Sequence, residues 1–95
     1  QKHYAPKTKI LLNQKKYIAG SACLSFGKLP IAFKNCKHIF NLSLSENLFE
    51  ASHLLYEGLR YLDKFDLKFI QVLPIPSIGI GKALNDRLKR ASYSE

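Results

Sequence analysis

Apolar residues along the chain form four short runs that are too brief for helices. These runs have the length and composition of β-strands: 9–12, 17–26, 38–42 and 67–73. The run at 17–26 shows no clear period, which is typical of a strand covered on both faces. Gly27 and Pro30 lie directly after this run and predict a turn there.

Two other segments carry apolar residues at helical spacing. In the first, residues 46–64, a leucine-rich stripe alternates with charged positions, which predicts a helix with one buried face. The preceding Ser43-Leu44-Ser45-Glu46 matches a capping box and predicts that the helix begins there. A last helix is predicted over 80–91, with basic residues near its C-terminal end, where cations suit the helix dipole.

The order of these elements is strand, strand, strand, helix, strand, helix, which predicts an α/β fold. The helix between the third and fourth strands makes a βαβ unit and therefore a parallel pair. Only residues 13–16 separate the first two apolar runs, whereas a parallel crossover needs about a dozen residues. The first two strands are therefore predicted to form either a hairpin or one bent strand.

Charge is distributed unevenly along the 95 residues, whose net charge is +8. Residues 1–45 contain eight lysines and no carboxylate, whereas residues 46–95 contain seven basic and seven acidic residues. This asymmetry indicates a basic face or arm for an acidic partner. With 46% apolar residues the chain is too hydrophobic for a disordered tail. No apolar run approaches the length of a membrane span, so no membrane partner is expected.

Cys23 and Cys36 are too few for a disulfide scaffold and are interpreted as reduced thiols of a cytoplasmic protein. The chain begins with Gln1 and contains no Met, so we expect it to be a piece of a longer protein.

Several residue groups are candidates for chemistry. The turn at Gly79 and Gly81 precedes a helix and could bind phosphate, but it misses both nucleotide fingerprints at one position, so a tight packing turn is the favoured interpretation. Cys23, Cys36 and two histidines lack metal-ligand spacing, and no metal site is expected. Aromatic residues interleaved with lysines in the first half could form a single-stranded nucleic-acid surface. The alternative is that these rings fill the core.

Two segments at opposite ends of the chain resemble one known family. His3-Tyr4-Ala5-Pro6-Lys7-Thr8 is similar to the interdomain linker of two-domain L-threonylcarbamoyladenylate synthases, the longer members of the YrdC family. Residues 79–91, GIGKALNDRLKRA, resemble the terminal motif of the same proteins. The resemblance covers essentially the whole chain in order.

The resemblance implies a small Rossmann-like, three-layer α/β accessory domain with a mostly parallel sheet of four or five strands. Residues 1–8 would be the linker arm and 9–95 the accessory domain, joined to a YrdC-type catalytic domain outside this sequence. That domain would use ATP, with Mg²⁺, to convert L-threonine and bicarbonate into threonylcarbamoyl-adenylate for tRNA modification. This piece alone would need no cofactor and would not be catalytic.

On the family pattern, His3, Tyr4, Pro6 and Lys7 would form a lid over the active site of the catalytic domain. A lid of this kind would keep water from a labile mixed anhydride. One alternative makes the basic half a binding module for tRNA or for a protein that transfers the threonylcarbamoyl group. Another makes the domain a nucleotide sensor that uses Gly79 and Gly81.

Overall fold

A four-stranded, all-parallel sheet organises the computed structural model, which describes residues 5–93. The elements in chain order are β1 (Ile10–Leu11), β2 (Ala22–Ser25), a 3₁₀ helix (Ile31–Phe33), β3 (Ile39–Asn41), α1 (Leu48–Asp63), β4 (Ile70–Val72) and α2 (Ile80–Ser92). The strand order across the sheet is β1-β4-β2-β3. The predicted α/β class and parallel sheet are therefore confirmed.

Both helices pack on the same face of the sheet. Buried side chains from the strands and both helices form a continuous core there, which includes Leu24, Ile70, Leu55, Leu59, Leu84 and Leu88. The amphipathic stripe predicted from sequence supplies the helical half of this core.

The opposite face of the sheet is covered by irregular segments. A second, smaller cluster lies there, in which Cys23, Phe33, Cys36 and Leu73 are buried and Tyr17 packs against them. The fold consequently has three layers, which are the helices, the sheet and an irregular layer.

The predicted hairpin or bent strand at the start of the chain is wrong. β1 and β2 are parallel, and β4 lies between them and pairs with both. Only residues 22–25 of the apolar run 17–26 belong to a strand, so the connection between β1 and β2 is the longer segment 12–21. That length is close to the dozen residues that a parallel crossover requires. The apolar character of Tyr17 reflects packing in the irregular layer rather than strand structure.

A buried glutamine in β4 holds the crossover 12–21 against the sheet. The Gln71 side chain donates from Nε2 to the Gln14 Oε1 atom and to the Lys16 carbonyl, at 2.9 and 2.7 Å. Its Oε1 accepts from the Ile18 backbone N–H at 2.9 Å. Since a buried amide without partners would be costly, these bonds allow a polar side chain in the central strand.

The start of α1 also differs from the prediction. Asn47, not Ser43, is the N-cap, and its side chain accepts from the Glu50 backbone N–H at 2.9 Å. The Ser43 hydroxyl accepts from the Asn47 N–H and donates to the Glu50 carboxylate. Glu46 has a φ of 63° and lies outside the helix, so it cannot complete the predicted capping box.

Both ends of α2 agree closely with the prediction, since α2 begins at Ile80 and ends one residue past the expected Ala91. Neither helix in residues 5–93 is long and apolar enough to cross a membrane.

Candidate functional site

The root of the N-terminal arm is fixed to the end of α1 by one carboxylate. The Thr8 backbone N–H and hydroxyl both donate to Asp63 Oδ1, at 2.9 and 2.7 Å. The Lys7 backbone N–H donates to Asp63 Oδ2 at 3.2 Å. Pro6 and Thr8 are buried and Lys7 is exposed, so alternate residues of this segment pack against the domain.

Asp63 is the last residue of α1, where a negative charge is unfavourable because the helix dipole is negative at that end. Local helix preference therefore does not account for the carboxylate. Its hydrogen bonds to Thr8 and Lys7 do, since hydrogen bonds to a charged acceptor are among the stronger ones in proteins. Asp63 is the functional candidate that the sequence patterns did not identify.

Lys7 makes a second, weaker contact with this corner of the domain. Its Nζ lies 3.8 Å from Asp66 Oδ1, and the two side chains are 70% and 80% exposed. An ion pair that is so open to water contributes little to stability. The Lys7 ammonium group is therefore free to exchange this partner for another anion.

The predicted lid residues divide between described and undescribed parts of the chain. Pro6 and Lys7 lie at the anchored root of the arm, whereas His3 and Tyr4 lie outside residues 5–93. The lid function of all four residues stays a prediction. The geometry adds that Lys7 and Thr8, at the root of the arm, are held beside Asp63.

The two glycines of the predicted phosphate or packing turn have different environments. A Cβ atom on Gly81 would lie 1.9 Å from the Pro76 carbonyl oxygen, so the backbones approach too closely for any side chain. Gly79 has a φ of 51° and open space around it. The Gly81 and Lys82 N–H groups donate to carbonyls within the turn, at 2.7 and 3.1 Å. Close packing thus requires Gly81, and phosphate binding by this turn stays a prediction.

A cavity of about 290 Å³ lies beside this turn, at the carboxyl ends of β1 and β4. It is lined by Leu12, Asn13, Val72, Leu73, Ile75, Ser77, Asn85 and Lys89. The Asn85 amide donates to the Ile75 carbonyl at 2.9 Å and so joins α2 to the segment that follows β4. The lining includes one ammonium group and no carboxylate.

The two cysteines are buried and free. Burial and, secondarily, the neighbouring Cys36 raise the pKa of the Cys23 thiol to about 12. Burial also raises the pKa of Cys36, partly opposed by a hydrogen bond with the His38 backbone. Such thiols are poor nucleophiles and poor metal ligands at neutral pH. Within residues 5–93, no group of three or more His, Cys, Asp or Glu side chains could hold a metal ion.

Together, the parallel sheet, the single helical face and the contacts of Lys7 and Thr8 with Asp63 define a small three-layer α/β domain. The family model for the C-terminal domain of threonylcarbamoyl-AMP synthase matches residues 1–92. The chain therefore belongs to the threonylcarbamoyl-AMP synthase C-terminal domain family, which confirms the resemblance noted in its sequence.

Proposed function

We propose that this chain is a non-catalytic accessory domain whose arm, residues 1–8, closes the active site of the attached catalytic domain. The catalytic domain would combine L-threonine, bicarbonate and ATP, with Mg²⁺, into threonylcarbamoyl-adenylate for tRNA modification. The two free, buried thiols are consistent with a reducing compartment such as the cytoplasm.

The observation that carries this proposal is the anchored root of the arm. Three hydrogen bonds hold Lys7 and Thr8 on Asp63, so the chain before Lys7 starts from a fixed point. Pro6 adds a fixed φ one residue earlier, which narrows the directions available to the preceding residues. A short segment with a fixed root can return repeatedly to one position over a neighbouring site.

His3 and Tyr4 are the arm residues that we propose contact the nucleotide or control its release. Their effect would be to exclude water, because a mixed anhydride between a carbamate and a phosphate hydrolyses readily. Closure by the arm would then protect the intermediate rather than contribute a reacting group. Lys7, in the same arm, would face the phosphates of the nucleotide.

The test is a double substitution, His3→Ala with Tyr4→Ala, in the full-length synthase. The expected result is about a tenfold lower yield of threonylcarbamoyl-adenylate, equivalent to about 1.4 kcal/mol. The ratio of AMP to threonylcarbamoyl-adenylate should rise because more of the intermediate is hydrolysed. The matched control is His53→Ala with Tyr93→Ala, which removes the same two side-chain types from exposed positions of the domain.

Unchanged product yield and unchanged AMP ratio in the arm variant would refute the lid. A separate measurement tests the non-catalytic assignment. The 95-residue chain alone, given ATP, L-threonine and bicarbonate, should form no adenylate, and turnover would overturn that part of the proposal.

A further inference from the structure

The irregular layer opposite the helices concentrates positive charge. Five lysines lie in the crossover and in the segment around the 3₁₀ helix: Lys15, Lys16, Lys28, Lys34 and Lys37. All five are exposed, and we call them the lysine layer. They flank residues that pack in the small cluster on this face, such as Tyr17, Leu29 and Phe33. The fold thus brings lysines from separate segments onto one side of the sheet.

Within residues 5–93, this charge has no carboxylate partner in an ion pair. Residues 12–38 contain no Asp or Glu. The ion pairs within residues 5–93 are Lys7 with Asp66 and Arg90 with Asp86, and neither involves the lysine layer. Glu46 borders the layer at Gly27, where its Cγ would lie 2.9 Å from an added Cβ. Most of the layer is therefore a positive surface that lacks carboxylates of its own.

The composition of this surface favours phosphates over a protein partner. Protein interfaces are depleted in lysine and have an apolar centre rich in aromatic residues. Here Ile31 is the large apolar side chain that is strongly exposed within residues 12–38, at 82%. Lysine ammonium groups on flexible stems suit phosphate oxygens as point charges.

The aromatic rings of this part of the chain are half-buried or buried, so they do not form a row of exposed stacking surfaces. Phe33 is fully buried, and Tyr17 lies against it with ring centroids 6.0 Å apart. Phe26 and Phe40 pack against the core on the helical side. Of the rings predicted to form a single-stranded surface, these four take part in packing, and Tyr4 lies outside residues 5–93.

Arginine, the side chain that most often reads base edges, is absent from this layer. The first arginine in the sequence is Arg60, so the layer has no guanidinium group for bidentate contacts to base edges. We propose that the lysine layer binds the phosphate backbone of base-paired RNA without reading its sequence. This binding would be a second activity of the domain and does not depend on the arm acting as a lid.

The test compares two double variants of the full-length protein that lose the same charge. Lys15→Gln with Lys34→Gln removes two members of the layer, and Lys82→Gln with Lys89→Gln removes two exposed lysines of α2. Binding is measured by fluorescence anisotropy with labelled, unfractionated tRNA over a series of salt concentrations. Circular dichroism checks that both variants remain folded.

The layer variant should bind tRNA about fivefold to tenfold more weakly at low salt. Its slope of log affinity against log salt should fall by about 1.5, because each neutralised phosphate contributes about 0.7–0.9. The α2 variant should stay within about twofold of the unsubstituted protein. A duplex RNA should bind at least as tightly as single-stranded poly-uridine of equal length, since the rings near the layer are half-buried or buried.

Equal losses in the two variants would overturn the proposal by showing that only net charge matters. Tighter binding of poly-uridine than of duplex RNA would overturn the preference for paired RNA. Binding of polyglutamate without binding of tRNA would identify an acidic protein as the partner instead, and would also overturn it.

Discussion

Replacement of Asp63 by Ala should destabilise the domain far more than its position at a helix end suggests. The substitution removes the acceptor for the Thr8 N–H, the Thr8 hydroxyl and the Lys7 N–H. Thr8 is buried, so its two donors would lose their partner without full access to water.

The magnitude follows from these contacts. A hydrogen bond to a charged group contributes about 1.5–3 kcal/mol, and two of the three lie in partly buried surroundings. Removal of a carboxylate from the negative end of α1 stabilises the helix by about 0.3–1 kcal/mol, which offsets part of this loss. The net loss in the free energy of unfolding should be about 2–4 kcal/mol, or a melting temperature lower by about 10 °C or more.

The assay is urea unfolding of the 95-residue chain followed by circular dichroism. The transition midpoint should fall while the slope with urea stays the same, since the fold itself is unchanged. Asp66→Asn is the matched control, because it removes the exposed ion pair with Lys7 and should cost less than about 0.5 kcal/mol. Asn also tolerates the left-handed backbone that Asp66 adopts, with a φ of 57°.

Two substitutions at Thr8 separate the hydroxyl from the rest of the contact. Thr8→Ser keeps the donor to Asp63 and should be close to neutral, whereas Thr8→Val should lose about 1–2 kcal/mol. A value for Asp63→Ala no larger than that for Asp66→Asn would refute the anchor. It would also remove the observation on which the lid proposal rests.

The remaining predictions concern the turn before α2 and the buried thiols. Gly81→Ala should lower the free energy of unfolding by about 3 kcal/mol or more, since its Cβ would overlap the Pro76 carbonyl. Gly79→Ala should lower the free energy of unfolding by only about 1–2 kcal/mol, because an alanine is strained at a positive φ. Thermal unfolding of the two variants measures both losses, and a larger loss in Gly79→Ala would contradict the close approach at Gly81. The folded protein should lose stability as pH rises above 9, because the unfolded chain releases protons there that the Cys23 thiol, with a pKa of about 12, retains. Urea titrations between pH 8 and pH 10 measure this loss, which Cys23→Ala should reduce, and an unchanged pH dependence in that variant would contradict the assignment.

Local patterns in the sequence predicted those parts of the fold that local interactions determine. Helix α2 was predicted almost to the residue, because its apolar spacing and terminal cations act within a few turns. The N-cap of α1 was predicted four residues too early, because Ser43 bonds to Asn47 and Glu50 rather than acting as the cap. Four strands were predicted, but each predicted range was longer than the observed strand.

Long-range pairing could not be predicted in the same way. The apolar run at 17–26 predicted one strand. Because β4 lies between β1 and β2, the first part of this run belongs instead to the connection that passes over the sheet from β1 to β2. Thr8 and Asp63 are 55 positions apart, so no spacing rule connects them. A carboxylate in the last turn of α1 was the available signal, since it opposes the helix dipole.

The position of β4 in the sheet has a consequence for how the protein is made. β4 is the last strand to be synthesised, yet it lies between the first two. Until the ribosome has delivered Val72, β1 and β2 have no partner between them, and each exposes unpaired backbone groups. We therefore expect the nascent domain to remain unfolded through most of its synthesis and then to fold in one late, concerted step. Such dependence on distant contacts favours slow folding and makes the growing chain a client for chaperones.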